Sequence, residues 1–68
     1  MKISKLEELG FEKLVMSDNY DLKVSDKIEL NYFRDENFIT MYVNDAAEIE
    51  LYNVNTIEKV KQLIELLK

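Results

Sequence analysis

The spacing of apolar positions changes period twice along this chain, and each change marks a predicted element. Leu6 and Leu9 lie three apart, and Gly10 follows them as a residue able to end a helix at positive φ. Ser4-Lys5-Leu6-Glu7 has the form of a capping box, with the Ser4 oxygen accepting from the Glu7 amide and Glu7 reaching back. This predicts a helix of about two turns, too short to persist alone in water, so it must dock. From Phe11 the period is two. Phe11 to Met16 is expected to be a strand with Leu14 and Met16 on one side, and Ser17-Asp18-Asn19 a turn. Tyr20, Leu22, Val24, Ile28, Leu30 and Tyr32 then share parity. They fit either one bent strand or a hairpin turning at Ser25-Asp26-Lys27. Pairing Val24 with Ile28 across that turn preserves the apolar face, so parity allows both.

Register is better defined in the next hairpin. A loop of Arg34-Asp35-Glu36-Asn37 pairs Phe33 with Phe38, and so sets Tyr32 opposite Ile39, Leu30 opposite Met41 and Ile28 opposite Val43. All six of these inner residues fall on one face, as a core requires. An odd loop at the following turn brings Ile49 and Leu51 onto the same face. An even loop would bring Glu48 and Glu50 there instead, and burying two unpaired carboxylates costs several kcal/mol. The odd loop is therefore expected. The period returns to that of a helix at the end: Ile57, Val60, Leu63, Ile64 and Leu67 form a broad apolar stripe, with Lys59 and Lys61 on the polar side. Asn55 and Glu58 are expected to cap it. The predicted fold is α+β: an antiparallel meander of three to five strands, flanked by a short N-terminal helix and a longer C-terminal one, in a single domain over residues 1–68. Its expected core is Leu14, Leu22, Ile28, Leu30, Met41, Val43, Ile49, Leu51, Val60, Ile64 and Leu67.

Composition narrows what such a domain can do. With 68 residues it buries only about 60% of its unfolded surface, and with no Cys it has no disulfide to compensate. The absence of His as well as Cys removes the commonest general base, the commonest transition-metal ligand and thiolate zinc. No apolar run approaches the length of a membrane helix, and acids follow the start too soon for a signal peptide, so a cytoplasmic location and no membrane partner are expected. The formal charge is −5. Its distribution matters more than its size: from Asp35 to Glu58 there are six acids and no Lys or Arg. Phosphate contacts need cations, so no specific nucleic-acid binding is expected.

Candidate chemistry is sparse. Ser4, Ser17 and Ser25 have no His partner; Lys5, Lys23 or Lys27 could serve a Ser–Lys pair, but each of these positions reads equally well as a cap or turn. Glu48 and Glu50 share a strand face, with Glu29 nearby. Acid–base work needs a cleft that so short a chain has little material to build, and a solvated charged face that deters aggregation is the better reading. Asp18-Asn19-Tyr20-Asp21 and Asp35-Glu36-Asn37 offer oxygen ligands without the spacing of an EF-hand loop. One Gly cannot build a glycine-rich phosphate loop. No catalytic residue, metal or cofactor is expected, and the chain is read as not an enzyme.

The aromatic residues are the better lead. The register that buries Leu30 and Met41 puts Phe33, Phe38 and Tyr42 on the opposite face, and the odd loop adds Tyr52 beside Glu48 and Glu50. Aromatics of this kind are enriched at protein interfaces. Two arrangements fit. Either each terminal helix covers one sheet face and these rings are ordinary core, or the face is open and makes contact with a partner.

Leu6-Glu7-Glu8-Leu9-Gly10-Phe11-Glu12-Lys13, the alternating strands, and the closing Thr56-Ile57-Glu58-Lys59-Val60-Lys61-Gln62-Leu63-Ile64-Glu65-Leu66-Leu67 together resemble small uncharacterised proteins encoded by phages and prophages of low-GC Gram-positive bacteria. Where those proteins carry Tyr-x-Lys in the second strand, this chain has Tyr20-Asp21-Leu22. The resemblance implies a compact accessory protein and names no active site. The expected function is a non-enzymatic protein-interaction module that binds a protein partner or forms a homodimer. The alternative is an acidic decoy that occupies the nucleic-acid-binding groove of a host protein.

Overall fold

A computed structural model describes residues 1–68. The chain folds as helix α1 (Ile3–Glu8), strands β1 (Glu12–Lys13), β2 (Tyr20–Lys23), β3 (Ile28–Tyr32), β4 (Ile39–Val43) and β5 (Ala47–Leu51), and helix α2 (Ile57–Leu67). The strands form one antiparallel sheet in the order β1-β2-β3-β4-β5, an uninterrupted meander. No helix is long and apolar enough to cross a membrane.

The predicted register holds in detail. Ile28 lies opposite Val43, Leu30 opposite Met41 and Tyr32 opposite Ile39. Residues 20–32 form the hairpin, with Val24 N–H donating to the Ile28 carbonyl across the Ser25-Asp26-Lys27 turn. The β4–β5 loop is odd: Val43 pairs with Ala47 across Asn44-Asp45-Ala46. Asn44 and Asp45 both take φ of 57°, and Ala46 N–H donates to the Val43 carbonyl, which is the left-handed turn that suits the twist of a hairpin. Ile49 and Leu51 therefore point to the same side as Met41 and Ile39.

Both helices pack on that side. Leu6 of α1 and Val60 and Ile64 of α2 join Phe11, Tyr20, Leu30, Tyr32 and Ile39 in one buried cluster. Gly10, at φ of 106°, ends α1 in a Schellman arrangement: its N–H donates to the Glu7 carbonyl and the Phe11 N–H to the Leu6 carbonyl. Phe11 is thereby turned back over Leu6, and both are buried.

Four expectations are corrected. Helix α1 starts before Ser4, with Lys2 as an N-cap that makes no side-chain bond. The earlier start sets Ile3 and Leu6 against the core, and it leaves Ser4 inside the helix and exposed, where no capping box can form. At α2 the cap is Thr56, whose Oγ1 accepts from the Lys59 N–H at 3.3 Å; Asn55 instead accepts from the Lys59 ammonium. The strand expected over Phe11 to Met16 shrinks to Glu12–Lys13, because the chain turns back at once: the Leu14 N–H donates to the Asn19 carbonyl and closes the turn that leads into β2 at Tyr20. Leu14 consequently leaves the core, and Val15 and Met16 are fully exposed in a turn. Ile49 faces the helices' side but stays 41% exposed, since it sits on the sheet's outer strand. Ile28, Val43 and Leu51, also expected in the core, are only half-buried and lie outside the buried cluster. The centre of the core lies nearer Tyr20, Tyr32 and Ile39, where α1 and α2 meet the sheet.

Candidate functional site

The second face of the sheet carries no helix, and its surface follows from the register. Outward-pointing residues fall in rows across the strands. One row runs Glu12, Asp21, Asn31, Thr40 and Glu50. The next runs Lys23, Glu29, Tyr42 and Glu48. Beyond the first row, at the end of the sheet, Phe38 and Tyr52 stack with ring centroids 4.7 Å apart and planes tilted by 55°, near the offset and tilted arrangements that aromatic pairs prefer. Five carboxylates, those of Glu12, Asp21, Glu29, Glu48 and Glu50, thus share one face with a single cation, Lys23.

All six predicted contact residues lie on this face or at its end. Phe33, Phe38 and Tyr42 are half-buried, and Glu48, Glu50 and Tyr52 are exposed. The structure brings together Phe38 with Tyr52, and Tyr42 with Glu48, whose Oε1 accepts from the Tyr42 hydroxyl at 3.3 Å. The arrangement in which one helix covers each sheet face is therefore overturned. Covering this side would take five carboxylates out of water with one cation to compensate them, whereas the opposite side offers Leu22, Leu30, Ile39 and Met41.

Asn31 and Thr40 are buried although nothing lies over them. They are the short members of the face, hedged by Asp21, Glu29, Phe38, Tyr42 and Glu50 on neighbouring strands and positions. Asn31 Nδ2 donates to Glu29 Oε2 at 3.1 Å, which holds that carboxylate against the sheet. The sequence reading missed this polar centre, and also Glu12 and Asp21. The signal was present, because the parity that turns Phe33 outward also turns Asn31 and Glu29 outward.

The electrostatics follow from crowding. Partial burial raises the Asp21 carboxyl above its ordinary range, and the charges of Glu29 and Glu12 raise it further. The Tyr42 phenol is raised by burial and then by Glu48, through charge and hydrogen bond together. Tyr52 is raised by hydrogen bonding to Glu50 and by that carboxylate's charge. Away from this face two cations form ion pairs: Lys5 lies 3.4 Å from Glu8, and Arg34 lies 3.9 Å from Asp18. Two of the serines hold turns, Ser17 accepting from the Asn19 N–H and Ser25 from the Lys27 N–H.

Fold and face together define an α+β meander with both helices on one side and an acidic, aromatic-ended sheet surface on the other. No protein-family model, curated protein or solved structure matches the chain.

Proposed function

We propose that this chain is a non-enzymatic protein-interaction module, an accessory protein of phage type acting in the cytoplasm, whose open sheet face docks on a protein partner. The observation that carries this reading is the Phe38–Tyr52 stack, with Tyr52 exposed, at the end of a sheet face that neither helix covers. Tyr52 is 63% exposed, a large ring set in water against its neighbour. Rigid aromatics anchor interfaces because they bury much area while losing little side-chain freedom.

The test uses the wild-type chain and a Phe38→Ser, Tyr52→Ser variant as parallel baits in a host extract, with circular dichroism to confirm that both are folded. A protein retained by the wild type, and bound at least about tenfold more weakly by the variant, supports the reading. Equal retention by both baits, or none by either together with a monomer in sedimentation at high concentration, overturns it.

The five carboxylates favour a second reading, the acidic decoy. A decoy competes for a basic groove mainly through charge, so its binding should fall steeply between about 0.05 and 0.2 M salt. Binding that tolerates salt and depends on the aromatic pair favours the interaction module.

A further inference from the structure

The two edges of the sheet are not equivalent. At one edge β1 has only two residues, and the chain leaves it at once into the Leu14–Asn19 turn. At the other, β5 presents five residues, of which only Leu51 is even partly buried. The direction of its free backbone groups follows from bonds further in. Val24 N–H donates to Ile28, and Asn44 N–H donates to the Lys27 carbonyl. Alternation across β3 and β4 then turns the N–H and C=O groups of Ile39, Met41 and Val43 towards β5, as the Ile39 N–H donation to Val54 also requires. Ala47, Ile49 and Leu51 point back to β4. The N–H and C=O groups of Glu48 and Glu50 point out of the sheet into solvent.

An exposed row of this kind is a template for another strand. What it admits is decided by the side chains beside it. On the open face the edge carries Glu48 and Glu50, with the exposed Tyr52 at its end; on the helix side it carries Ile49. A second copy of the chain fits poorly. Two β5 strands paired about a two-fold axis must bond through Glu48 and Glu50 of each copy. Every such register sets at least one carboxylate directly opposite a carboxylate of the other copy, which destabilises the pair. The acids therefore guard the edge against its own kind, and they leave it open to a strand of opposite charge.

We infer that β5 is a strand-addition site for an extended basic segment of a partner protein, with Lys or Arg opposite Glu48 and Glu50 and an apolar residue between them opposite Ile49. This rests on the interaction-module reading and names the chemistry of its partner. Cross-strand ion pairs supply specificity, and the outward amides and carbonyls supply the ladder bonds. The apolar residue extends the covered face and shields Ile49, which is 41% exposed. At the far end the Tyr52 ring favours Arg over Lys, since a guanidinium stacks on an aromatic face.

The test is amide hydrogen exchange by NMR on the full chain, with a short end-capped peptide alternating arginine and valine as the probe. At saturation the Glu48 and Glu50 amides should exchange at least about tenfold more slowly, while the amide of Ile49, already bonded within the sheet, changes less. A glutamate–valine peptide should give no protection. Neither should the arginine–valine peptide with N-methyl groups on its bonding edge, which keeps the charge and removes the ladder donors. Glu48→Lys with Glu50→Lys should reverse the preference between the two peptides; both positions are exposed, so the variant leaves packing alone. Absence of protection, equal protection by the N-methylated peptide, or protection that grows with protein concentration without peptide each overturns the inference. If the peptide fails while a partner is still captured through Phe38 and Tyr52, the edge inference falls alone. If capture fails while the peptide protects the edge, the reading of the aromatic face falls alone.

Discussion

Leu30 is fully buried at the centre of the middle strand, between Leu22 on β2 and Met41 on β4. Replacing it with Ala removes apolar surface that folding takes out of water and leaves a void that the sheet backbone cannot close. The transfer part is about 2 kcal/mol. A void of roughly 70 Å³, relaxing only in part, adds about 1–1.5 kcal/mol at about 24 cal/mol per Å³. The expected loss is about 3–3.5 kcal/mol. A chain of 68 residues has a total stability of roughly 3–10 kcal/mol, so this one change removes between a third and all of it. Urea unfolding followed by circular dichroism reads the effect: with a slope near 1 kcal/mol/M, the midpoint should fall by about 3 M or the protein should be unfolded without denaturant. Leu30→Met, which conserves volume, should cost less than about 1.5 kcal/mol and keeps the site measurable if the Ala variant does not fold. Leu66→Ala, at a position 82% exposed on α2, should stay within about 0.5 kcal/mol. A loss below about 1 kcal/mol at Leu30 would refute close packing between the sheet and its helices, and with it the assignment of the covered face.

Gly10→Ala should destabilise by at least about 1–2 kcal/mol in the same assay, because φ of 106° disfavours a side chain and the new Cβ would stand 3.2 Å from Leu22 Cδ1. Thr56→Ala should cost about 1 kcal/mol through loss of the α2 cap, whereas Ser4→Ala, inside α1 with no capping bond, should be neutral or slightly stabilising; equal losses at both would contradict the observed caps. Asp21 holds its proton more tightly folded than unfolded, so its penalty is absent below the unfolded-state value of about 4, grows as pH rises through the folded-state value, and is complete above it. Asp21→Asn should therefore raise the Tm at pH 7 and leave it unchanged near pH 3; the same shift at both pH values would mean that packing, not charge, is responsible.

Much of this fold was legible because a strand has a side-chain period of two and a hairpin transmits that parity to the next strand. Loop length alone then fixed Leu30 opposite Met41 and put Ile49 and Leu51 on the apolar side, since the even loop would have buried Glu48 and Glu50. The six contact residues came from the same parity, so their placement on one face was also determined locally. Three things were not. A single sequence gives each helix an apolar stripe but no address, and only packing brought α1 and α2 to the same side, where Leu6, Val60 and Ile64 share one cluster and the acidic rows stay in water. Strand length depends on the partner, so Leu14, Val15 and Met16, apolar enough to read as strand, became a turn once β2 began at Tyr20. The open edge at β5 was decided by strand order. The alternation of Glu48, Ile49 and Glu50 is the same in a central strand and an edge strand, and only the tertiary structure leaves the outward amides of those two glutamates without a neighbour.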